Sequence, residues 1–166
     1  MQGKTVAQSE VTLMMTPMPD ETNFAGTIHG GHLLKHIDNA GALAARRHAR
    51  TTVVTASLER MDFLTPVRPG EVLILKASLH MVGRTSMEVG VRVEVENVNE
   101  DTIRHAATCF LTFVALDSRG KPTPVPPLIL STDIEHERYA KALDRKRHRE
   151  MLLERDKETY SASQTS

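Results

Sequence analysis

The chain has 166 residues, and 21 lysines and arginines balance 21 aspartates and glutamates. That length suits one domain with a full hydrophobic core, and a net charge of zero leaves no long-range field to gather a polyanion, so nucleic acid is not an expected partner. The absence of tryptophan also removes stacking platforms for single strands. The lone Cys109 cannot form an intrachain disulfide, and its apolar surroundings read as those of a small buried hydrophobe. No apolar run reaches membrane-spanning length and "MQGKTVAQSE" lacks a signal-peptide core, so no membrane partner and a cytoplasmic location are expected.

In chain order, residues 1–10 read as a flexible polar arm. "VTLMMTP" then alternates through Val11, Leu13 and Met15, predicting a strand that ends near Pro17 and Pro19. A loop with Asn23 and Gly26 leads to Gly30 and Gly31. Beyond it Leu33, Leu34, Ile37, Gly41, Ala44 and Ala45 recur at helical spacing and give the one strongly apolar helix. From Thr52 to about Leu116 the pattern is that of strands. "VVTASLERMDFLTPV" changes phase, which predicts a bulge near Glu59 and Arg60. "EVLILKASLHMVG" alternates, and "SMEVGVRVEVE" places Met87, Val89, Val91, Val93 and Val95 on a core face, with Ser86, Glu88, Arg92, Glu94 and Glu96 facing water. "AATCFLTFVAL" is apolar on both faces, as in a central strand or a subunit contact. The short connections "RPGE", "VGRT" and "NVNEDTIR" require antiparallel pairing. "KPTPVPPLIL" reads as an extended surface segment. A second helix begins near Thr132, whose spacing to Glu135 fits a capping box, and its charged body reads as solvated. The expected division is the arm at 1–10, the body at 11–130, a helical extension at 131–160 and a disordered tail at 161–166. One apolar helix covers only one sheet face, so a strand apolar on both faces predicts an oligomer, most simply a two-fold dimer.

Asp38 is the unexpected residue of the apolar helix. At about 100° per residue it falls at the border of the buried stripe, where partial desolvation favours a general base or nucleophile. Gly30 and Gly31 leave the first helical N–H groups unshielded, a setting suited to an oxyanion. Seven residues separate Gly31 from Asp38, or roughly 10 Å along the axis. One helix therefore cannot bring both to a single carbonyl, whereas two antiparallel helices across a dimer axis can. His29, His32 and His36 offer a rival metal reading, but the glutamate that helical zinc motifs place after the first of two histidines is Leu33 here. No metal is expected.

The set "NFAGTIHGGHLLKHIDNAGALAARRH", "ERMDFLTPVRPGEV", "GRTSMEVGVRVEVEN" and "CFLTFVALDSRGKPTPVPPL" resembles the acyl-CoA hydrolase group of hotdog-fold acyl-CoA thioesterases, from about Val11 to Arg138. The resemblance implies an α+β hotdog fold, a long helix wrapped by an antiparallel sheet of about five strands. It implies hydrolysis of acyl-CoA to free CoA and a carboxylic acid, in lipid metabolism, without cofactor or serine nucleophile. It assigns Asp38 as catalytic, Asn23 as completing the site from the partner, and Gly31 as the oxyanion donor. Arg84, Thr85 and Ser86 become candidate CoA contacts, and Gly30 and His29 candidate substrate-binding positions. The brain-type enzyme fuses two such domains where this chain has one, so a homodimer is the implied minimum and a trimer of dimers the implied assembly. A non-catalytic acyl-CoA sensor and a hotdog enoyl-CoA hydratase are the alternatives. The first would lack the acid, and the second needs an Asp and His pair with no clear counterpart here.

Overall fold

The computed structural model describes residues 1–59 and 61–163, with side chains as far as Lys157. In chain order the elements are β1 (Lys4–Thr5), β2 (Val11–Met15), a 3-10 turn at Pro19–Glu21, α1 (Gly30–Ala49), β3 (Thr52–Leu58), β4 (Asp62–Phe63), β5 (Val72–Val82), β6 (Ser86–Asn97), β7 (Thr102–Leu116), β8 (Leu128–Ile129) and α2 (Asp133–Ser163). The main sheet runs β2-β5-β6-β7-β3 with every pair antiparallel, and β4 adds to β7 beside β3. This is the α+β architecture expected from the sequence.

Helix α1 lies across one face of the sheet and meets β5, β6, β7 and β3. Leu33, Ile37, Ala40, Ala44 and Ala45 are at most 1% exposed, and they face Val89, Val91, Val93 and Leu111, which are fully buried. Burial of each larger side chain contributes about 1.5–3 kcal/mol. Gly41 is what allows the helix so close, because a Cβ there would stand 3.0 Å from the Phe113 ring. Past its C-terminal turn the helix stops at Arg50, whose left-handed φ of 58° turns the chain into β3.

Several expectations are corrected. Residues 1–10 are docked rather than loose: β1 pairs in parallel with β8, Val6 is buried, and Ser9 Oγ meets His48 Nδ1 at 3.0 Å in a fully buried contact. Because His48 Nε2 faces the Pro126 carbonyl at 2.8 Å, that nitrogen carries the proton and the serine hydroxyl donates to Nδ1. The same contact corrects the proline-rich segment, whose Val125 and Pro126 are buried. A register shift falls between Thr55 and Ser57, earlier than expected, leaving Val54 and Leu58 on the exposed side. A further extra residue is taken up between Leu58 and Asp62, where four steps on this side pass three on β7. Arg60, half of the bulge prediction, lies outside the described residues.

The outer face of the sheet does not meet water throughout. Helix α2 starts at the expected capping box, with Glu135 N–H donating to Thr132 Oγ1 and Thr132 N–H to Glu135 Oε2, both at 3.3 Å. It then folds back over β5, burying Ala142 completely. Glu88 is therefore fully buried, held by Arg145 at 2.6 Å, and the Arg145 guanidinium sits 3.7 Å over the Phe110 ring. The second apolar face of β7 is thus covered at Phe110 within the chain, which weakens it as an argument for a dimer. The helix continues to Ser163, past its expected end, since no glycine or proline interrupts it. Of the expected disordered tail, residues 164–166 lie outside the described residues.

Burial pushes the Glu88 carboxyl up, against the pull of Arg145. Removing the guanidinium strands that buried acid, so Arg145→Ala is expected to cost about 3–5 kcal/mol in urea unfolding, and Arg145→Met with Glu88→Leu to recover most of it.

Candidate active site

Asp38 occupies the middle of α1, half-buried at the edge of the stripe that faces the sheet. Thr55 on β3 donates its hydroxyl to Asp38 Oδ1 at 2.6 Å. A short bond from a hydroxyl to a carboxylate fixes the acid's rotamer. Among the described residues no hydrogen bond reaches its other oxygen, Oδ2, which is left to an incoming group. Nothing in the sequence marks Thr55: it reads as one more β-branched residue in a strand, and only the wrapping of β3 beside α1 gives it a role.

The start of α1 is built by the loop before it. Thr22 and Ile28 bridge in antiparallel fashion. Between them Asn23 Oδ1 accepts the Ala25 and Thr27 N–H groups at 2.9 and 3.3 Å, and Nδ2 donates to Thr27 Oγ1 at 3.1 Å. Within one chain Asn23 thus holds its own loop and does not meet Asp38. Phe24 stands fully exposed on that loop. His29 is the N-cap: its Nδ1 accepts the Gly31 N–H at 3.0 Å, so the amide expected to face an oxyanion is here covered by an exposed imidazole. Gly30 borders Phe63, and together with Ile28, Leu33, Leu64 and Val67 they line an apolar cleft of about 380 Å³. Phe63 and Leu64 are more than half exposed.

The other histidines serve the loop. His36 Nε2 lies 2.7 Å from Glu21 Oε1 and His32 Nδ1 lies 3.6 Å from it. The Met18 backbone N–H holds the Glu21 carboxyl below its usual range, with help from His36 and against burial. Among the described residues no group of three or more His, Cys, Asp or Glu side chains is arranged to hold a metal. Burial also pushes the Cys109 thiol up to about 11, consistent with an inert core residue. Arg84, Thr85 and Ser86 lie at the β5–β6 hairpin, where the Arg84 and Thr85 carbonyls accept from Val125 and Ala115. Ser86 is level with Val114 and, through it, with Val54. The hairpin therefore stands at the same end of the sheet as Thr55, two strand spacings or roughly 10 Å away.

The Thioesterase superfamily model matches residues 25–101. The chain is 40% identical over 152 residues to the uncharacterized acyl-CoA thioester hydrolase YkhA of Bacillus subtilis, covering 87% of this chain and 88% of that one. It belongs to the acyl-CoA thioester hydrolases of the thioesterase superfamily. Among solved structures, an acyl-CoA hydrolase from Staphylococcus aureus, in complex with butyryl-CoA, CoA and CoA disulfide, superposes with a TM-score of 0.87 at 35% identity, covering 95% of this chain and 96% of that one. A hexameric acyl-CoA thioesterase superposes at 0.89 with 38% identity, covering 92% and 98%. Structures of Asn-to-Ala, Asp-to-Ala and Thr-to-Ala variants of the Staphylococcus aureus hydrolase also match. Like those hydrolases this chain has a hotdog fold, as the resemblance in its sequence implied. No described helix is long and apolar enough to cross a membrane.

The cap at the helix start yields a direct check. His29→Ala is expected to lower stability by about 1 kcal/mol in urea unfolding, and His29→Asn, which can still accept the Gly31 N–H, to retain most of it.

Proposed function

We infer that this chain hydrolyses acyl-CoA thioesters to free CoA and a carboxylic acid, with Asp38 as general base. The observation that carries the reading is the half-buried carboxylate with one oxygen held by Thr55 and the other without a bond among the described residues. Oδ2 takes a proton from water as the water oxygen attacks the thioester carbonyl. The carbonyl oxygen becomes an oxyanion, and collapse of the tetrahedral adduct expels the CoA sulfur, which leaves as thiolate and picks up a proton. Gly31 N–H receives the oxyanion once the exposed His29 ring swings away, and Gly30 leaves the approach open. A donor of this kind contributes about 3 kcal/mol to the transition state. Spacing supports these assignments: the asparagine, aspartate and threonine replaced in the Staphylococcus aureus variants follow one another at the same intervals as Asn23, Asp38 and Thr55.

The active unit is a dimer in this reading. Asp38 and Gly31 are held roughly 10 Å apart on one helix, so the oxyanion donor and Asn23 come from a second copy. Strand β3 supports this, since it is the edge of the sheet and exposes Val54 and Leu58, a surface suited to pairing. The hexameric relative supports a trimer of such dimers. Butyryl-CoA in the Staphylococcus aureus hydrolase supports placing the acyl group in the apolar cleft beside Phe63, with the CoA end toward His29 and the Arg84–Ser86 hairpin. Residues 11–130 form the thioesterase unit and the protein works in the cytoplasm.

Thiol release across a panel of acyl-CoAs tests the activity, and binding without turnover would refute it. Asp38→Asn is expected to reduce kcat by about 10²- to 10⁴-fold. Thr55→Ala, which lets the acid turn, is expected to reduce kcat by about 10- to 100-fold with KM little changed, and Thr55→Ser to restore it. Mixing an Asp38→Ala chain with one disabled at Asn23 should regenerate activity in the heterodimer, and failure of two folded, mixed chains to do so would place each site within one chain.

A further inference from the structure

On the sheet face opposite α1, helix α2 and strands β2, β5, β6 and β7 border an open cavity of about 470 Å³. Its sheet side is partly apolar, with the Phe110 ring in the wall. Its remaining wall is cationic: Arg138, Lys141 and Arg145 come from α2, and Lys76 and Arg92 from the sheet. Glu10 is the one acidic residue among those lining residues. The carboxylates that pair with four of the cations stand outside the lining: Glu137 binds Lys141, Glu88 binds Arg145, and Glu94 binds both Lys76 and Arg92. Arg138 has neither an ion pair nor a hydrogen bond among the described residues. A guanidinium with no partner, on the wall of an amphipathic cavity, is a donor fork without its oxyanion.

His80 adds a second, independent observation. It lines the cavity, and its Nδ1 is buried with no hydrogen-bond partner among the described residues. Its ring rests over Gly90, where a Cβ would stand 2.3 Å away, and tilts against Phe110 at 5.7 Å between centroids. A side chain at Gly90 would therefore displace the imidazole from the wall. Burial first, then Arg138 and Arg145, push the His80 imidazole down to about 4. The same positive potential that disfavours a second proton there favours an anion in the space beside it.

We propose that this cavity is a ligand site separate from the thioester site, and that it takes a small amphiphilic oxyanion. A carboxylate or phosphate head would sit on Arg138 and Lys141, and an alkyl or aromatic body against Phe110. The volume lies within the range of small-molecule pockets, and the mixed wall excludes both a purely apolar guest and a bare inorganic ion as the preferred occupant.

Calorimetric titration of the full-length protein with decanoate, decyl phosphate, decanol and inorganic phosphate tests this. One or both anionic amphiphiles are expected to bind once per chain, at least about tenfold more tightly than decanol or inorganic phosphate, and the better of the two identifies the head group. Arg138→Glu should weaken that binding by about tenfold or more. Arg138 is exposed on α2, and Arg138→Gln serves as a milder substitute should the reversal unfold the chain. Asp38→Ala should leave the affinity unchanged, which separates this site from the hydrolytic one whether or not the activity is as inferred. Absence of saturable binding, equal binding of decanol, indifference to both Arg138 variants, or loss in Asp38→Ala would each overturn the proposal.

Discussion

Burying Leu33, Ile37, Gly41 and Ala44 against the sheet fixes the rotation of α1 about its own axis. Once that rotation is set, Asp38 has a single available place, the border of the stripe, where it is neither in the core nor free in water. The close approach over Phe113, permitted by the missing side chain at Gly41, brings the helix down to the level of β3. Thr55 can then reach the carboxylate. The hydrogen bond on Oδ1 is thus a product of helix packing, and a loosened core would be felt first as a mobile acid.

The parts legible in the sequence were those whose signal is local and apolar. Alternation in β6 named five residues, and all five are fully buried. The border position of Asp38 followed from helical periodicity alone, and the capping box of α2 from a three-residue spacing. What escaped was built from polar or main-chain contacts between distant segments. The arm is held by a two-residue parallel pairing and by Ser9 on a histidine 39 residues away, and neither leaves a pattern in "MQGKTVAQSE". The docking of α2 was hidden because the residues that bind it are charged. Arg145 anchors the helix by stacking on Phe110 and pairing with Glu88, so the helix has little apolar asymmetry to betray a buried side. Thr55 was invisible because its partner lies on another element and the bulge at Ala56 shifts the phase of the strand after it.

The two faces of the sheet are held by different physics. Against α1 the contact is dry and apolar, with shape deciding the fit. Against α2 it is ionic, and an arginine replaces the aliphatic side chain that would ordinarily fill the site. Buried pairs of that kind add little net stability over an apolar contact but tolerate few alternative partners. They fix the register of a highly charged helix that apolar packing alone would hold weakly.

That register bears on the candidate site as well. Four residues beyond Arg145, Arg149 pairs with Glu59, and the Glu59 N–H in turn bonds to the Phe110 carbonyl on β7. Glu59 follows directly on β3, between the strand that carries Thr55 and the short β4 that carries Phe63. Helix α2 therefore braces, from the outer face, the irregular stretch of chain that presents both the residue orienting Asp38 and the wall of the apolar cleft. Without such a brace an edge strand with a bulge and an extra residue would have several registers of similar energy. The ion pair selects one of them, and so a helix on the far face of the sheet from Asp38 contributes to where Thr55 stands.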